Sequence, residues 1–82
     1  IAQHNLGYMY ANGIGVTRSF LEAATWYQKA AAQGYPKSQT NLGLLYAEGL
    51  GLPQDYVEAY KWWVLAAKQG EPIAQQNSAS IK

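Results

Sequence analysis

The chain has no cysteine and a single histidine, His4, among its 82 residues. Without thiols there is no disulfide framework and no thiolate ligand, and one imidazole does not make a zinc site. Charge is scarce as well. Six basic and five acidic side chains leave a formal net charge of +1, so no electrostatic footprint for nucleic acid or an anionic membrane is present. No apolar run approaches the roughly 18 residues of a membrane span, so membrane insertion is not expected, and no basic, apolar and small-residue succession marks a signal peptide. Ile1 in place of a starting Met points to a chain processed or cut from a longer one. The compartment stays open between cytoplasm, periplasm and the outside of the cell.

Aromatic residues are plentiful: seven Tyr, three Trp and one Phe. A chain this short buries only about 60% of the surface it exposes when unfolded, and large rings help to supply the missing apolar area. The rings do not fall at random. Sliding the sequence by 36 residues lays Asn5-Leu6-Gly7 on Asn41-Leu42-Gly43, Gly13-Ile14-Gly15 on Gly49-Leu50-Gly51 and Trp26 on Trp62. About 18 of the 46 pairs are identical, too many for unrelated segments, and a period of this size signals units that bury their apolar faces only by stacking.

Helix punctuation is written twice. Ser19-Phe20-Leu21-Glu22 and Asp55-Tyr56-Val57-Glu58 place a capping side chain three residues before a Glu, the capping box that satisfies two otherwise unpaired amides. Ala23, Trp26, Ala30 and their copies Ala59, Trp62, Ala66 follow at steps of three and four, one face of a helix. Gly34 and Gly70 stop these helices from the C′ position, with Lys29 and Lys68 in the last turns. Pro36 and Pro72 then open a second kind of helix, which carries Leu42, Gly43 and Tyr46 and closes at a Gly-x-Gly turn. The spacing predicts helices over about 1–12, 19–33, 36–48, 55–69 and 72–81. Each unit is a helical hairpin, and the chain reads as one domain over 1–82. Its repeats are set at 1–36 and 37–72, with a partial third unit over 73–82. Gly7 and Gly43 each cost about 1 kcal/mol inside a helix relative to Ala, which points to close helix approach there. Trp26 and Trp62 are expected to fill the wider gaps of the same seam, so that truncating Trp62 would unfold most of the array.

The succession Asn-Leu-Gly, Tyr, Gly-x-Gly, capped Glu-Ala, Trp and Ala-Ala ending at Gly resembles the Sel1-like repeat, a relative of the tetratricopeptide repeat. The relative's period is 34 residues, and the spacing here favours the Sel1-like assignment. The resemblance implies an all-α fold, a right-handed superhelical solenoid of antiparallel helix pairs, serving as a non-enzymatic adaptor or scaffold for a peptide or protein partner. It leaves open a cell-wall-related hydrolase or a glycan- or peptidoglycan-binding protein. Members are frequent in bacteria, often exported or linked to the envelope and to host interaction. Where a third unit would repeat Leu-Gly-x-x-Tyr, this chain has Ser78, Ala79, Ser80 and Ile81, a polar face suited to capping the stack. The first repeat has no such polar cap, and end-to-end self-association is the other partner mode expected.

Solenoids bind on the concave surface lined by the first helix of each pair. If Leu6, Gly7 and Tyr10 face the partner helix, the open positions are Ile1, His4, Tyr8, Ala11 and Asn12, and their copies are Lys37, Thr40, Leu44, Ala47 and Glu48. Apart from the alanines these differ between the repeats, as a surface tuned to an irregular ligand would, and as an unconstrained solvated face would too. Asn5, Asn41 and Asn77 recur beside them. Their amides suit either a bound peptide backbone or a tie between neighbouring helices, and the recurring Gln3, Gln39 and Gln75 carry the same two readings.

Chemical signals are weak. A helix and not a strand precedes each Gly-x-Gly, and Arg18 and Gln54 stand where a phosphate-binding loop needs its third glycine, so no cofactor is expected. His4 has no assignable nucleophile or orienting acid, and no Ser-x-x-Lys occurs. Glu48, Asp55 and Glu58 are accounted for by helix ends.

Overall fold

The computed structural model describes residues 2–80, and the side chains of residues 3–79 within them. Five helices run in order: α1 (Ala2–Asn12), α2 (Phe20–Ala32), α3 (Pro36–Glu48), α4 (Tyr56–Lys68) and α5 (Pro72–Ser80). The expected end positions Ile1 and Ile81 lie outside the described residues. Each helix packs chiefly on its neighbours in the chain, α1 on α2, α2 on α3, α3 on α4 and α4 on α5. The result is a helical-repeat solenoid of 35 × 25 × 17 Å.

Local chemistry sets the helix ends. Ser19 and Asp55 sit in extended backbone, and their side-chain oxygens accept from Glu22 N at 3.2 Å and from Val57 N and Glu58 N at 3.0 and 3.1 Å. The other half of the expected capping box takes a different form. The backbone amides of Ser19 and Asp55 donate to the carbonyls of Tyr10 and Tyr46, each at 2.9 Å, so the cap residue closes the hairpin onto the preceding helix. At the far ends, the Gly34 amide donates to Ala31 O and the Tyr35 amide to Ala30 O, and Gly70 and Glu71 repeat the pair on Ala67 and Ala66. This is the Schellman pattern.

Two cores follow from the packing. Ala23, Ala24, Tyr27 and Ala31 of α2 meet Leu42 and Leu45 of α3 in the first. Ala47, Ala59, Trp63, Ala66 and Ala74 form the second, between α3, α4 and α5. The rings inside the seams are Tyr27 and Trp63, at 2% and 5% exposure, and not the Trp26 and Trp62 expected from sequence identity. Tyr27 and Trp63 are copies of one another at the 36-residue spacing, and each rests on the glycine of its hairpin. A Cβ at Gly7 would stand 2.7 Å from Tyr27 Cδ1, and one at Gly43 would stand 2.6 Å from Trp63 Nε1.

Trp62 instead lies half-buried at the edge of the first core, bridging the second hairpin to the first. Its Nε1 is buried without a hydrogen-bond partner. Trp26 is half-buried under the Lys29 ammonium, 4.6 Å from its ring centroid. Neighbouring side chains on a helix are rotated about 100° apart, so stepping by one residue turns a ring from the seam within a hairpin to the face between hairpins. The second Gly-x-Gly turn also joins the hairpins. Gly51 has φ +74, and a Cβ there would strike the backbone of Phe20, so this turn lies on the start of α2 and only glycine fits.

Candidate functional site

α1, α3 and α5 share one side of the stack, and two hollows open there. The smaller, about 290 Å³, is lined by His4 and Tyr8 of α1, Lys37, Thr40 and Asn41 of α3, Glu71, and Ile73 of α5. The larger, about 380 Å³, includes Tyr8, Ala11, Asn12, Arg18, Asn41 and Leu44, with Phe20 and Tyr27 of α2 behind them. Tyr8 and Asn41 line both hollows and form the saddle between them. Tyr8, Leu44 and Ile73 present large apolar side chains to solvent at 51%, 41% and 56% exposure.

Of the residues expected to bind, His4, Tyr8, Asn12, Lys37, Thr40, Asn41 and Leu44 line these hollows, whereas Asn5 and Glu48 are exposed and line neither. Ile1 lies outside the described residues. Ala47, expected on the open side, is buried in the second core because Ala59 and Trp63 pack that face of α3. Ala11 is half-buried, packing against the first core while lining the larger hollow. Arg18, Glu71 and Ile73 were not among the candidates. The signal that would have found them is the same disagreement between copies: Arg18 replaces Gln54, Glu71 replaces Tyr35 and Ile73 replaces Lys37.

The recurring amides are largely engaged in holding helices together. Gln33 Nε2 donates to Gln3 Oε1 at 2.9 Å, and one period later Gln69 Nε2 donates to Gln39 Oε1 at 3.2 Å. Gln39 Nε2 donates to the Ala31 carbonyl, and Gln75 Nε2 repeats this on Ala67. Asn41 hydrogen-bonds the Tyr27 hydroxyl. Burial raises the Tyr27 pKa above its ordinary 10.0, against the opposing pull of that bond.

At the floor of the smaller hollow, the His4 and Thr40 positions are equivalent by the period but chemically different. His4 Nδ1 lies 2.7 Å from Ser38 Oγ, with the rings of Tyr27 and Tyr35 at 5.4 and 5.1 Å. Burial, aided by the Lys37 charge, lowers its pKa below 6.5. Thr40 Oγ1 donates to Glu71 Oε1 at 2.9 Å, and the same oxygen accepts from Ala74 N at 2.8 Å, capping α5. Ser38 is fully buried, so its pairing with His4 joins α1 to α3 and offers no nucleophile to a substrate in the hollow. Among the described residues no three His, Cys, Asp or Glu side chains gather to hold a metal ion, and no helix is long and apolar enough to cross a membrane.

The Sel1 repeat family model matches the chain twice, over residues 1–35 and 36–71. The chain belongs to the Sel1 repeat family. A Sel1 repeat protein from Oxalobacter formigenes has the same fold over 98% of this chain, with a TM-score of 0.96 and 42% identity. The protein c5321, a protective antigen of uropathogenic Escherichia coli strains with an SLR fold, matches 93% of the chain at a TM-score of 0.92 and 46% identity. The chain spans 33% of the first of those structures and 16% of the second. No curated protein matches it. Sel1 repeats are generally protein–protein interaction modules, and their scaffolds are typically non-catalytic.

Proposed function

We propose that this Sel1 repeat chain is a non-enzymatic adaptor that holds a peptide segment of a partner protein along the groove of α1, α3 and α5. The observation that carries this reading is the row of Tyr8, Leu44 and Ile73, three large apolar side chains exposed beside two adjoining hollows. These positions differ between copies, while Gly7 and Gly43, Ala23 and Ala59, and Ala30 and Ala66, which lie buried where the helices pack, agree. His4, Lys37 and Asn41 lie along the same path with polar groups for a peptide backbone, with Asn12 and Thr40 beside them. Asn5 and Glu48 belong to its outer rim. A strand of about ten residues, at about 3.3 Å per residue, would span the 35 Å length of the molecule. The hydrolase alternative gains nothing from a histidine whose hydroxyl neighbour is out of reach.

Selection of short peptides from a displayed random library, followed by fluorescence anisotropy, tests the reading. Selected peptides should bind the wild type and lose most of their affinity for the Tyr8→Ala, Leu44→Ala double variant, whose exposed side chains leave the melting temperature nearly unchanged. Full binding by that variant would move the site off the groove.

A further inference from the structure

The charges of the chain are unevenly placed. Glu22, Asp55 and Glu58 sit at the starts of α2 and α4, where they cap or complement the helix dipole. Lys29, Lys61 and Lys68 lie on the same two helices, and Lys61 pairs with Glu58 at 3.1 Å. That is the one ion pair among the described residues. On the side of α1, α3 and α5 the balance differs. Lys37 lines the smaller hollow and Arg18 the larger. Arg18 rests against the Phe20 ring at 5.4 Å with no carboxylate salt-bridged to it.

The acidic side chain that does line the groove is already engaged. Glu71 is buried, and its Oε1 takes hydrogen bonds from Thr40 and from the first turn of α5. Glu48 lies outside both hollows. The groove therefore offers exposed apolar side chains, an amide at the saddle, a cation without an ion-pair partner at each hollow and, buried at the floor of the smaller one, the Glu71 carboxylate.

From this arrangement we infer that the partner segment is an extended acidic peptide in which carboxylate and apolar side chains are interleaved. This rests on the groove reading above. Apolar side chains of the peptide meet Tyr8, Leu44 and Ile73, while carboxylates reach Arg18 in the larger hollow and Lys37 in the smaller. Arginine suits a planar carboxylate because its guanidinium offers paired donors, and lysine serves as a point charge. In an extended strand alternate side chains face one way, so interleaving lets one face of the peptide satisfy both kinds of contact. Two cations are far fewer than the phosphate contacts on which nucleic-acid binding depends, which favours a peptide over a polyanion.

The test uses three labelled peptide pools of about ten residues, in which leucine or tyrosine is interleaved with glutamate, glutamine or lysine. At low salt the glutamate pool should bind about three- to tenfold more tightly than the glutamine pool, in keeping with two exposed ion pairs. The advantage should shrink as salt is added. Arg18→Gln with Lys37→Gln should abolish the difference between those two pools, so that the glutamate pool binds no more tightly than the glutamine pool. Arg18→Glu with Lys37→Glu should turn the preference toward the lysine pool, and both variants should melt as the wild type does. Equal binding of the glutamate and glutamine pools to the wild type would overturn the charge selection and leave the groove standing. Absence of binding by every pool would overturn the groove reading and this inference together. An oligothymidylate that displaces the glutamate pool as effectively as unlabelled peptide would show mere polyanion attraction and overturn the peptide assignment.

Discussion

Trp63 packs on Gly43 with no room for a methyl group between them. A Cβ on the glycine would stand 2.6 Å from the indole Nε1, and that nitrogen donates to the Thr40 carbonyl at 3.0 Å, so the ring is fixed on the side where it would have to yield. The Ala59 carbonyl closes the same space at 3.1 Å. Gly43→Ala gains about 1 kcal/mol of helix propensity but forces overpacking worth about 1–3 kcal/mol and strains a hydrogen bond worth about 1 kcal/mol. The expected outcome is a net loss of about 1–3 kcal/mol, read as a melting temperature several degrees lower. An unchanged or higher melting temperature would show that the indole can move aside.

The two adjacent tryptophans of α4 should respond unequally. Trp63→Ala removes a ring buried at 5% exposure together with its hydrogen bond to Thr40, at a cost of about 3–5 kcal/mol. That is a large share of what a domain of this size has to lose. Trp62→Ala removes a half-buried ring whose Nε1 has no partner, and about half that cost is expected. Urea unfolding of both variants measures the order directly. Equal losses would mean that the contact between hairpins carries as much as the seam within one.

How legible such features are depends on the range of the interaction. Ser19, Asp55, Gly34 and Gly70 were readable because a cap is a contract between a side chain or a turn and backbone a few residues away. Even there, the destination of the Ser19 and Asp55 amides lay beyond local rules, at Tyr10 and Tyr46. The choice between Trp62 and Trp63 turned on the helix's rotation and the space above Gly43. Identity between copies pointed to the wrong neighbour, since the seam position holds Tyr in one repeat and Trp in the other. At the groove, divergence between copies found His4, Tyr8, Lys37, Asn12 and Leu44. It missed Arg18, Glu71 and Ile73 because the comparison stopped at two helices, and no local rule brings Thr40 to Glu71 across 31 positions.

Gln39 connects three helices through one side chain. Its amide donates to the Ala31 carbonyl of α2 at 3.2 Å and its carbonyl accepts from Gln69, beyond the end of α4, at 3.2 Å. Gln39→Ala leaves a buried carbonyl without that donor, and the expected loss is about 1–3 kcal/mol. Peptide binding at a temperature where the variant is folded should be unaffected. A weakened affinity with unchanged stability would assign this amide to the ligand instead.

Glu71 joins the groove to the last helix. Its carboxylate oxygen caps Ala74 N at 2.8 Å and receives the Thr40 hydroxyl at 2.9 Å. Glu71→Ala removes a cap worth about 1 kcal/mol and deprives Thr40 of that acceptor. Hydrogen exchange should accelerate at the Ala74 and Gln75 amides while the α2 amides around Tyr27 stay protected. Uniform acceleration along the chain would mean that α5 unfolds only with the whole array.

His4 gives the stack a pH dependence whose sign follows from its surroundings. Burial between α1 and α3, aided by the Lys37 ammonium, holds its pKa below 6.5, and the Ser38 hydroxyl beside Nδ1 brings no compensating negative charge. In the unfolded chain the imidazole returns to 6.5. As pH falls through that value the unfolded state takes up its proton first, so this contribution to stability is complete above 6.5, declines below it, and levels off once the folded imidazole is also protonated. The wild type should therefore lose more melting temperature than His4→Gln on acidification through this window, because the variant keeps the carboxylate titrations and lacks the imidazole. Proton NMR of the ring should place the folded midpoint below 6.5. A midpoint at or above that value, or parallel losses in the two proteins, would show that protonated His4 keeps its bond to Ser38 at no cost to the fold.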